Sequence, residues 1–70
     1  MNFIKVLEDK GYTVTEGIEA YIVEKEEAVV TLDLKHTLVE LVNREGMFSS
    51  IDFDSEEEII PSVELMISKF

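Results

Sequence analysis

The chain has 70 residues, 16 of them acidic and 6 basic, for a formal net charge of −10. That length has room for one small domain, spanning residues 1–70, which hides only about 60% of the surface its unfolded form exposes and leaves little space for a deep pocket beside a core. The charge argues against direct binding to DNA, RNA or anionic membrane surfaces, because Lys5, Lys10, Lys25, Lys35, Arg44 and Lys69 are scattered without a cluster.

Residues 1–10 read as a short amphipathic helix. Phe3, Ile4, Val6 and Leu7 form its apolar stripe, Asn2 is its N-cap and Gly11 the residue that ends it. From Tyr12 the period changes to two. Tyr12–Thr15 is a first strand, bounded by Gly11 and Gly17. Ile18–Lys25 is a second, with Ile18, Ala20 and Ile22 on one face and Tyr21 and Val23 on the other. Apolar residues on both faces predict a strand covered on each side. After the charged turn at 24–27, Ala28, Val30, Leu32 and Leu34 point inward from a third strand, with Thr31, Asp33 and Lys35 outward.

Residues 36–46 fit either a helix or a hairpin. Asn43-Arg44-Glu45-Gly46 has the order of a type I turn with a glycine bulge, which favours a hairpin joining strands at 38–42 and 47–53. Ser55-Glu56-Glu57-Glu58 matches a capping box. Ile59, Ile60, Val63, Met66, Ile67 and Phe70 continue as a helical stripe. Pro61 is too deep in a helix counted from Ser55, so a short capped turn followed by a helix restarting at Pro61, as its first residue, is expected. The sum is a small two-layer α+β domain: N-terminal helix, antiparallel meander of four to five strands, C-terminal helix. Tyr21, Val23 and Val29 are expected on a second, partly exposed sheet face.

The chemistry-bearing residues are few. Cysteine is absent, which removes disulfides and thiolate metal sites. His36 is the single histidine, too little for a zinc site, and no hydroxyl stands in a nucleophile context. Asp52-Phe53-Asp54-Ser55-Glu56 begins like a calcium loop. Such a loop needs glycine sixth and glutamate twelfth, and Glu57 and Val63 stand there instead. No glycine opens a phosphate loop, and the aromatics Phe3, Tyr12, Tyr21, Phe48, Phe53 and Phe70 read as core. No catalytic residue, cofactor or metal is expected.

Eight of the sixteen acids fall in two segments, 24–27 and 52–58. The candidate partner-binding residues are Asp52, Asp54, Glu56, Glu57, Glu58, Glu24, Glu26 and Glu27, with Tyr21 and Val23 as apolar anchors. In size, acidity and lack of cysteine the chain resembles the short inhibitors that bacteriophages and mobile elements encode against host nucleases, a resemblance of composition that transfers no residues. The leading expectation is a non-enzymatic protein-interaction module that self-associates. The alternative is a DNA mimic whose carboxylates occupy the basic groove of a nucleic-acid-binding protein. The start Met1-Asn2-Phe3-Ile4-Lys5 does not read as a signal peptide, and no apolar run approaches the ~20 residues of a membrane span, so a cytoplasmic location is expected.

Overall fold

A computed structural model describes residues 2–70. The first helix, α1 (Phe3–Asp9), starts where Asn2 Oδ1 accepts the amides of Ile4 at 3.1 Å and Lys5 at 3.3 Å. It ends in a Schellman motif. Gly11 N–H donates to Glu8 O and Tyr12 N–H to Leu7 O, with Gly11 at φ +97°. Leu7 and Tyr12, the two residues this motif brings together, are both buried. Tyr12 therefore belongs to the helix terminus rather than to the first strand.

Five strands follow as an antiparallel meander: β1 (Thr13–Glu16), β2 (Ala20–Lys25), β3 (Ala28–Asp33), β4 (Leu38–Val42) and β5 (Phe48–Asp52), in that spatial order. The disputed segment is a hairpin. Gly46 N–H donates to Asn43 O, Asn43 N–H to Met47 O, and Asn43 Oδ1 accepts from Glu45 and Met47. Gly46 supplies the left-handed residue of the bulge at φ +85°. A single 3-10 turn (Glu56–Glu58) leads into α2 (Ile59–Ser68). The helix begins two residues before the expected restart: Pro61 is the third residue of α2 rather than its first, and because an amide there has no intrahelical acceptor its missing N–H costs nothing. The capping box does not form: Glu58 Oε1 accepts from the Asp54 amide at 2.7 Å, one residue before Ser55, and the Ser55 side chain makes no cap bond.

Both helices cover one face of the sheet. Leu7, Val23, Val30, Leu32, Val39, Val63 and Met66 are wholly enclosed between the layers. The strand registers set this face. Val14 stands opposite Val23 and Val23 opposite Val30, while Tyr21 stands opposite Leu32 and Leu32 opposite Val39.

Three expectations are corrected here. Tyr21 and Val23 lie on the covered face: Val23 is wholly buried, and Tyr21 meets Phe3 edge-to-face with centroids 5.5 Å apart. The phase follows from β1–β2 closing through Gly17 N–H to Ala20 O at 2.7 Å, which leaves Ile18 in the loop and fully solvent-exposed. Leu34 is outside β3, in the turn before β4, rather than pointing into the core. Phe48, read as core, is exposed, because Ser49 and Ile51 take the inward positions of β5.

Candidate interaction surfaces

Among the described residues no layer covers the face of the sheet turned away from the helices. Its side chains come from the other strand phase. Thr15, Ile22, Thr31, Glu40 and Ser50 form one cross-strand row. Val29 beside Glu24, and Val42 beside Phe48, carry the next row. Apolar groups gather at one corner of this face: Val29 is 45% exposed, Val42 54% and Phe48 61%. Val29, Thr31, Glu40, Val42 and Phe48 line a shallow groove of about 270 Å³ there. Of this corner, the sequence pattern identified Val29 alone. Phe48-Ser49-Ser50-Ile51-Asp52 does not alternate, so only the hairpin register shows which way Phe48 points.

The two acidic segments lie at opposite ends of the sheet. Glu24 is on β2, and Glu26 and Glu27 form the loop at the end where Lys25 pairs with Ala28. Asp52 sits at the other end, in the row of Leu38 and Asp33, with Asp54, Glu56, Glu57 and Glu58 beyond it. Six residues of β3 separate the ends, about 20 Å at strand rise. Part of this charge is engaged internally. Glu27 accepts from Arg44 at 2.6 Å, and Arg44 lies over the Phe70 ring at 4.5 Å. Lys25 lies over the Tyr12 ring at 5.0 Å. These groups line a groove of about 340 Å³ at that end. Burial, with Glu64 adding to it, raises the Tyr12 hydroxyl above its ordinary pKa.

The turn joining β3 and β4 carries the one histidine. Asp33 Oδ1 accepts the His36 amide at 3.0 Å, and Oδ2 lies 2.8 Å from His36 Nδ1. Thr37 follows at φ +53°, an uncommon conformation for a β-branched residue, held where its carbonyl accepts the Phe53 amide at 2.9 Å. Lys35 reaches Glu19 at 3.8 Å across the adjoining loop. The turn overlooks a groove of about 320 Å³ between Phe3, Leu34, Phe53 and Ile59. Among the described residues no three His, Asp or Glu side chains converge as a metal-binding set.

Hydrogen bonding to Asp33 and its negative charge raise the His36 pKa, and Glu19 and Glu40 add to the effect. The His36 amide and ring lower the Asp33 pKa. A raised histidine stabilises the fold below its ordinary pKa of about 6.5, and that contribution is lost as pH rises through the folded value. A lowered aspartate stabilises above its ordinary value of about 3.9, and its contribution is lost as pH falls through the folded value. The turn is therefore firmest between roughly pH 4 and 6.5. A proton NMR titration is expected to place the His36 midpoint above that of a free imidazole. Asp33→Asn should bring it down, and an unchanged midpoint in that variant would contradict the pairing.

No family model, curated protein or solved structure matches the chain. Among the described residues no helix is long and apolar enough to cross a membrane.

Proposed function

We propose that the chain is a non-enzymatic protein-interaction module that self-associates. The observation that carries this reading is the corner of Val29, Val42 and Phe48, exposed apolar surface on the uncovered face of a two-layer domain. A domain of this size gains part of its missing burial by bringing such residues to a contact with a second copy. The acids then keep the unassembled chain soluble and oppose non-specific clustering. Phe48→Asp, at a position open to solvent in the single copy, should leave the fold intact and weaken association at least about tenfold, as read by sedimentation equilibrium. Unchanged association in that variant would count against the corner.

The DNA-mimic reading draws less support from the geometry. It asks for carboxylates arrayed along one surface, whereas segments 24–27 and 52–58 stand at opposite ends and Glu27 and Glu58 are engaged within the chain. Neutralising Asp52, Asp54, Glu56, Glu57 and Glu58 to Asn or Gln is the test of it. Loss of a basic partner in that variant would favour mimicry.

A further inference from the structure

The meander leaves two edge strands. β1 is four residues long and β5 five; each ends on one acid, Glu16 and Asp52, and each has a helix against it, α1 on β1 and α2 on β5. β5 has β4 as its single neighbour in the sheet and holds the uncharged stretch Gly46-Met47-Phe48-Ser49-Ser50-Ile51. This is the longest run without an acidic or basic residue in a chain that carries 22 such side chains. Edge strands that stay unpaired are ordinarily guarded by charge, proline or a covering element. Between Phe48 and Ile51, β5 has no charge or proline.

The hydrogen-bond phase shows which groups face outward. Asn43 N–H donates to Met47 O and Phe53 N–H to Thr37 O, so the bonded pairs of the β4–β5 ladder are 43 with 47, 41 with 49, 39 with 51, and 37 with 53. The amides and carbonyls of Phe48, Ser50 and Asp52 therefore point away from β4, at alternate residues, as a strand-pairing edge requires.

We propose that a second copy adds at this edge: two β5 strands pair antiparallel about a two-fold axis through Ser50, joining two five-stranded sheets into one of ten. This rests on the reading of the chain as self-associating and adds where and how. Ser50 is the middle residue of β5, so this register pairs the whole strand. With Ser50 opposite its own copy, Phe48 of each chain stands opposite Asp52 of the other, and the two Asp52 carboxylates are about 13 Å apart. The contact is self-complementary, as a two-fold interface must be.

Sedimentation equilibrium and cross-linking test it. Ser50→Pro removes an outward amide and no β4–β5 bond, so it should keep the circular dichroism of the parent and weaken the dimer at least about tenfold. Phe48→Asp sets carboxylates opposite Asp52 and should break the dimer, whereas Phe48→Lys sets an opposite charge there and should keep it. A face-to-face stack would instead lose association with both. In this cysteine-free chain, Ser50→Cys should oxidise readily to a covalent dimer, because facing Cα atoms in such a pair are about 5.5 Å apart. Ile18→Cys, in the exposed β1–β2 loop, should not. A parent dimer that survives Ser50→Pro and does not cross-link through Ser50→Cys overturns β5 pairing and leaves self-association standing. A parent that stays monomeric at concentrations of about 1 mM overturns both, and leaves the edge for a strand of another protein.

Discussion

Replacing Leu32 with alanine is expected to remove about 3–5 kcal/mol of stability. Leu32 is wholly enclosed in the central strand β3, with Tyr21 and Val39 as cross-strand neighbours and the helices above. The loss combines the transfer free energy of the missing carbons with the cavity they leave, and strands held on both sides collapse poorly into such a space. A 70-residue domain has on the order of 4–10 kcal/mol in total, so the variant should sit near its unfolding threshold. Its thermal midpoint should fall by at least about 12 °C. Urea unfolding followed by circular dichroism checks this, and a loss below about 1 kcal/mol would mean that the two layers do not pack at Leu32.

The second large effect separates the two faces of the sheet. Val23→Lys should abolish folding, because an ammonium without a partner would enter a site that is wholly closed to solvent, at a cost of several kcal/mol. Val29→Lys should be tolerated within about 0.5 kcal/mol, since Val29 is half exposed and stands opposite Glu24, which offers the new charge a partner. Equal damage from both would contradict the face assignment. The pair is informative because the amino-acid pattern places Val23 and Val29 on the same side.

That error shows where the sequence stops being legible. The elements themselves announce their ends chemically. Asn2 caps α1, Gly11 takes the left-handed position after it, and Asn43 and Gly46 build the last hairpin turn. Ala28, Val30 and Leu32 show their buried face through strict alternation with exposed or half-exposed partners. β2 lacks that contrast, because Ala20, Tyr21, Ile22 and Val23 are all apolar, and its phase is decided by pairing Tyr21 with Leu32 and Val23 with Val30. β5 lacks it as well, with two serines at its centre. Both ambiguous strands bear on the candidate surface, so the apolar corner was hidden although the fold was readable. The acids were visible as two clusters, but only the meander puts them at opposite ends.

The salt dependence of self-association tests the central claim most directly. Two copies at −10 each, treated as point charges about 25 Å apart, repel by about 17 kcal/mol in water without salt. At 0.15 M the screening length of about 8 Å removes most of that repulsion, whereas at 0.01 M the length of about 30 Å leaves much of it. Sedimentation equilibrium of the parent chain at these two ionic strengths is expected to show a dimer that tightens by at least about tenfold as salt rises. A chain that remains monomeric at both, while binding a basic protein that salt releases, would contradict the account.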